Sequence, residues 1–143
     1  MKFPRRALLA AVILSACDSE GWIRPAERAV NDFHHRFDSG DFTGIVGAAN
    51  LTFKDPSGRE VFIAHLADIH AKFGKLKRSH LYAWHSSPYD NSRPHKPTSE
   101  LVLYYETRFR NGEGKETFRY VLNDGSASLR SYEFMVDRIW WGQ

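Results

Sequence analysis

Seven histidines and one cysteine are the residues of this 143-residue chain best suited to metal or nucleophile chemistry. His34 and His35 are adjacent, so on a helix they point about 100° apart. His65 and His70 are five apart and fall on opposite borders of one apolar stripe. Neither pair has the i, i+4 spacing with which two imidazoles on a helix share a metal. His80 and His85 differ by an odd number and are expected on opposite faces of a strand, and His95 lies in a Pro/Ser-rich stretch. These spacings imply no metal site and no cofactor. Ser/His/Asp catalysis needs a nucleophile held on a sharp turn, and no Gly-x-Ser-x-Gly occurs. No phosphate-cradling glycine loop is present either.

The lone thiol, Cys17, has a distinctive context. Lys2, Arg5 and Arg6 precede an apolar run from Ala7 to Leu14, and small residues lead into the cysteine as Leu14-Ser15-Ala16-Cys17. The run is too short for a permanent membrane span and reads as a secretory signal over residues 1–16. Residues 14–17 resemble the bacterial lipobox. That resemblance implies diacylglycerol on the Cys17 thiol and cleavage just before it. It also implies acylation at the new amine, which would make Cys17 the membrane anchor. Two or three acyl chains hold a protein stably, at about 0.8 kcal/mol per buried CH₂. Asp18 resembles the residue that retains such lipoproteins in the inner membrane of a Gram-negative-type envelope, the outer membrane being the alternative. Residues 17–24 are then the lipidated N-terminus and tether, and 25–143 the folded domain.

Charge agrees with that division. Removing residues 1–16 takes away three of 20 basic residues and no acid, leaving 17 against 17. A neutral chain has no bulk electrostatic reason to bind nucleic acid. One cysteine excludes an internal disulfide, and the hydrophobic content of 42% supports one packed core.

The elements come next. Pro25 opens a helical pattern with Ala26, Ala29, Val30, Phe33 and Phe37 on one stripe, closed by Gly40. Residues 42–49 form a short helix. A third helix runs from about Arg59 to Phe73, carries Phe62, Leu66, Ile69 and Phe73, and ends at Gly74. Strands are expected over residues 75–85, about 101–109, 116–122 and 129–139, with 86–98 a loop, Asn111–Gly114 a hairpin turn and Asn123–Gly125 another. Trp140 and Trp141 either cap the sheet or sit at membrane headgroups.

Three helices before four antiparallel strands is an α+β order. FDSGDFTGIVGAAN and ELVLYYETRFRNGEGKETFRYVLNDG resemble small bacterial domains of the NTF2-like cone fold, although Ala127-Ser128-Leu129 departs from the usual pattern after the last turn. The resemblance implies three N-terminal helices packed on a curved antiparallel sheet. A four-residue turn at 111–114 pairs Glu106 with Arg119 and Tyr104 with Val121. It sets Leu103, Tyr105, Thr107 and Phe109 with Phe118, Tyr120 and Leu122 on the inner face. A bulge near the last turn aims Tyr132, Phe134 and Val136 inward. The expected pocket is lined by Tyr105, Phe109, Phe118, Tyr120, Tyr132 and Phe134. Glu116 lies at the rim, no carboxylate base lies inside, and His80 is the one remaining candidate base. The implied function is a lipid-anchored domain that binds an envelope protein, a second copy or a small apolar ligand without catalysis. A ketosteroid-isomerase-like enzyme and a structural envelope subunit are the alternatives.

Overall fold

The computed structural model describes residues 23–49, 51, 57–89, 98–123 and 125–140. The proposed signal peptide, Cys17 and Asp18, the middle of the 86–98 stretch and Trp141 lie outside them. Three helices, α1 (Arg24–Ser39), α2 (Phe42–Ala48) and α3 (Gly58–Phe73), precede four strands, β1 (Leu76–Tyr89), β2 (Thr98–Phe109), β3 (Gly112–Asn123) and β4 (Ser126–Ile139). The strands pair in sequence order as one antiparallel sheet, giving the α+β cone with its helices against one face.

Helix α1 begins at Arg24, one residue before Pro25. Glu27 in its first turn and Arg36 in its last suit the helix dipole. Gly40, at φ 77°, reverses the chain, and its N–H donates to the Phe37 carbonyl at 3.1 Å. Asp41 then caps α2 by accepting from the Gly44 N–H at 2.9 Å. The stripe of Ala26, Val30, Phe33 and Phe37 is buried as its spacing predicts. Phe33 meets Phe118, and Phe37 meets Phe109, at centroid distances of 5.0 and 5.8 Å. In α3, Leu66, Ile69 and Phe73 are buried and Phe62 packs at the margin.

The central hairpin departs from expectation. Its turn is Arg110-Asn111, and Gly112 and Gly114 are strand residues. A Cβ on Gly112 would sit 2.8 Å from the Phe73 ring, and one on Gly114 would sit 2.5 Å from the Phe134 ring. These glycines let two aromatic rings rest on the backbone. The tip is pinned from both sides. Arg110 N–H donates to Lys75 O, Asn111 N–H to Phe73 O, and Trp140 N–H to Asn111 O, each at 2.9 Å. The pairing therefore slides four residues from the expected register. Glu106 faces Lys115, Tyr105 faces Glu116, and Leu103 faces Phe118. An even slide keeps every side chain on its face, so the inner set is as expected while every partner changes. The expected Glu106–Arg119 pair is absent, and Arg119 bonds Glu100 instead.

Two further corrections come from bulges. In β4 Ser126 pairs with Asn123, and the register shifts within the strand, between the Arg119 and Tyr120 partners. Leu129, Tyr132 and Phe134 thus all reach the core, whereas Val136 is exposed. In β1 a shift between Leu81 and Ala83 puts His80 and His85 on the same outer face, opposite Glu106 and Val102. His80 is exposed there and is not a base within the cone. Strand β1 also continues through residues 86–89, beyond its expected end at His85 and into the expected loop.

Candidate functional site: a carboxylate sealed in the cone

The inner face of β3 is Gly112, Gly114, Glu116, Phe118 and Tyr120, all buried. Glu116 therefore lies among aromatic rings at 1% exposure. This overturns the expectation of a cone without an acid. In the slid register Glu116 moves from beside Phe109, near the hairpin end, to beside Tyr105 in the middle of the sheet.

Three elements supply donors to its carboxylate. Thr107 of β2 donates its hydroxyl to Oε2 at 2.5 Å. His34 of α1 places Nε2 2.8 Å from the same oxygen. Tyr132 of β4 donates to Oε1 at 2.9 Å. An acid taken out of water persists only when its oxygens are satisfied, and here both are. His34 is itself 5% exposed, edge-on to Tyr105 and Phe118. Its Nδ1 is buried with no hydrogen-bond partner. The carboxylate engages Nε2 alone, so the other ring nitrogen is left without a partner inside the core.

The surrounding tyrosines are electrostatically marked. Burial raises the Tyr105 hydroxyl above its usual range, and the charges of Glu27 and Glu116 add to this. Tyr120 is raised mainly by burial, with Tyr105, Glu116 and Asp32 contributing. Tyr132 is raised by burial and then by the Glu116 charge it bonds. All three stay protonated donors at ordinary pH.

A carboxylate, an imidazole and neutral phenols in an apolar chamber are parts that can move a proton. Access is what they lack. The recess at the other end of the cone holds about 90 Å³ and is bordered by Ala29, Phe33, Arg36, Ile45, Tyr120 and Leu129, not by His34 or Glu116. Of the six expected pocket residues, Tyr120 borders this recess. Tyr105, Phe109, Phe118, Tyr132 and Phe134 fill the core around the carboxylate. A larger cleft of about 530 Å³ opens on the outer sheet face among Arg78, His80, Glu106, Arg108, Glu113 and Asp137. Among the described residues, no three His, Cys, Asp or Glu side chains converge to hold a metal, and no helix is long and apolar enough to cross a membrane.

Two signals for this cluster were present in the sequence. Glu116 shares parity with Phe118 and Tyr120 along one strand. His34 follows Val30 by four and precedes Phe37 by three, which puts it on the buried stripe of α1.

No protein-family model and no curated protein matches the chain. Partial similarity is found to the helical cell shape determining protein Pgp2 from Campylobacter jejuni, at 13% identity and a TM-score of 0.48 over 73% of this chain and 38% of that one. This chain thus spans well under half of that protein. A candidate scytalone dehydratase from Novosphingobium aromaticivorans is similar at 15% identity and a TM-score of 0.46, over 81% of this chain and 84% of that one. Aln2 from a Streptomyces species is similar at 14% identity and a TM-score of 0.47, over 80% and 89%.

Proposed function

We propose that this protein is a periplasm-facing binding domain, anchored in the inner membrane through acylated Cys17, that engages an envelope protein and turns over no substrate. The supporting observation is the filled cone. Both oxygens of the interior carboxylate are taken by the protein's own donors. The recess of about 90 Å³ is far smaller than the roughly 300–1,000 Å³ of ordinary small-molecule sites. The outer sheet face has the open cleft and, beside it, exposed Tyr82 and Met135. An aromatic ring and a flexible thioether next to charged groups suit a protein partner. The anchor and its sorting rest on Leu14–Cys17 and on Asp18, with the outer membrane as the alternative destination.

A second reading, an acid–base enzyme of the ketosteroid-isomerase kind, is favoured by one observation, the 2.8 Å His34–Glu116 contact in an apolar chamber. It requires the cone to open. Photocrosslinking in living cells separates the two. A crosslinking residue at Met135 should capture a discrete envelope protein, and one at Val61, exposed on α3, should not. Capture at neither position, together with turnover of an enolisable ketone that is lost in Glu116→Gln, would replace the binding reading with the enzymatic one. Metabolic acyl labelling that survives Cys17→Ser would remove the anchor from either.

A further inference from the structure

We infer that the end of the sheet where β1 and β3 begin and β2 and β4 finish is a docking surface for an anionic lipid bilayer. The meander brings these four strand ends together beside the C-terminus of α3. The hydrogen bonds of Arg110, Asn111 and Trp140 lock them into one rigid edge.

The charge on this end is basic in excess. Lys72, Lys75 and Lys77 stand exposed along the helix-to-strand junction. Arg78, Arg108, Arg110 and Arg138 stand exposed on the strand ends. That is seven of the 17 basic residues beyond residue 16, in a stretch of chain that is neutral as a whole. Four local acids, Asp38, Glu106, Glu113 and Asp137, offset part of this charge and leave a basic excess. Asp38 accepts the Leu76 N–H at 2.8 Å, and Glu113 faces Arg138 at 3.9 Å. Asp137 and Glu106 line the same outer-face cleft as Arg78 and Arg108.

Arg78 and Arg108 are directly opposite on adjacent strands. Like charges in that position destabilise a sheet, and among the described residues Arg78 has no ion-pair partner. Arg108 instead lies over the Trp140 ring, 4.8 Å from its centroid. Glu113, opposite Arg108 on β3, relieves part of the repulsion, and an anionic surface would neutralise the remaining excess from outside. A rigid edge of spaced cations with an amphipathic indole beside them suits a headgroup layer.

The anchor geometry is compatible. Helix α1 runs about 24 Å from the Cys17 side to this end, at 1.5 Å per residue. The chain from Cys17 to Ile23 reaches about 21 Å when extended. Anchor and basic end therefore meet one bilayer when α1 lies along it. That orientation rests on the lipidation proposed above, but the surface does not.

Lysine acylation footprinting of the full chain tests the inference. The protein is mixed with phosphatidylglycerol/phosphatidylcholine vesicles or with pure phosphatidylcholine vesicles. At about 50 mM salt, Lys72, Lys75 and Lys77 should react roughly fivefold more slowly on the anionic vesicles, and about 500 mM salt should restore their rates. Lys115, on the outer face, should react alike in both. Equal rates for the three junction lysines on the two vesicles would overturn the inference. So would equal protection by soluble polyglutamate at matched charge, which would point to an acidic protein instead. Lys72→Glu, Lys75→Glu and Lys77→Glu combined alter only exposed positions, and should abolish the vesicle-dependent protection of Trp140 from oxidation. Protection that persists in this variant also counts against the surface. Acyl labelling of Cys17 is a separate readout, so loss of the anchor and loss of the docking surface are distinguishable.

Discussion

His34 Nε2 lies 2.8 Å from Oε2 of Glu116, 82 residues further along the chain. The contact joins the first helix to the third strand through a carboxylate that Thr107 and Tyr132 also hold. Removing the acid strands three polar partners in an apolar interior. Glu116→Ala should therefore lower the unfolding free energy by about 3–5 kcal/mol. Glu116→Gln keeps the shape but turns one acceptor into a donor, and should lose about 1–3 kcal/mol. Urea denaturation measures both. A Gln variant as stable as the parent would mean that the network contributes nothing.

Alkaline titration probes the same chamber. The Tyr105, Tyr120 and Tyr132 hydroxyls are raised above their usual value of 10.0 in the folded protein. Above about pH 10 the unfolded chain gives up these protons while the native chain keeps them, so stability falls as pH rises. The slope approaches about 1.4 kcal/mol per tyrosine per pH unit, and the contribution is fully present below pH 10. Absorbance near 295 nm should show these three of the six tyrosines ionising together with unfolding. Smooth ionisation of all six without loss of structure would contradict their burial.

The backbone of β3 passes under an aromatic ring at Gly114. A methyl group there would stand 2.4 Å from the Met135 carbonyl and 2.5 Å from Phe134. Gly114→Ala should cost about 1–3 kcal/mol through overpacking. Phe134→Leu in the same chain should recover part of that loss by clearing the ring. Thermal melts of the two single variants and the double variant give the comparison.

The register of the central hairpin has a direct energetic signature. Arg119 bonds Glu100, whose side chain is 11% exposed. A double-mutant cycle on that pair should return about 0.5–1 kcal/mol of coupling. The same cycle on Glu106 and Arg119 should return none. Coupling in the second cycle and not the first would restore the register with the four-residue turn.

How far the sequence could be read depends on the range of the interaction. The α1 stripe, the Gly40 and Gly74 ends and the inner faces of β2 and β3 were legible, because each follows from the local period of a helix or strand. The pairing of β2 with β3 was not. A four-residue slide leaves the faces unchanged, and the choice rests on Phe73 and Phe134 seeking glycine backbone from elsewhere in the chain. That slide alone carries Glu116 from the rim to the centre. The β1 and β4 bulges are likewise products of packing, and they moved His80 outward and brought both Leu129 and Tyr132 inward. His34 was on the buried stripe all along, but its partner could be found only once the register was known.

The order β1-β2-β3-β4 has a temporal consequence. Each strand pairs with the one made just before it, so the sheet can zip during synthesis by closing short loops. Helix α1 meets α2 and α3 early, but the sheet it covers comes late. The helix is made first, and its chief contacts outside the helices are with β3 and β4, which are made last. Until those strands exist, Val30, Phe33 and Phe37 have no sheet to cover them. For the interval in which most of the chain is translated, that stripe of α1 is only partly covered, the kind of exposed apolar surface that favours association with other chains. Phe33 gains its sheet partners only with Phe118 and Tyr132, which come late in the chain.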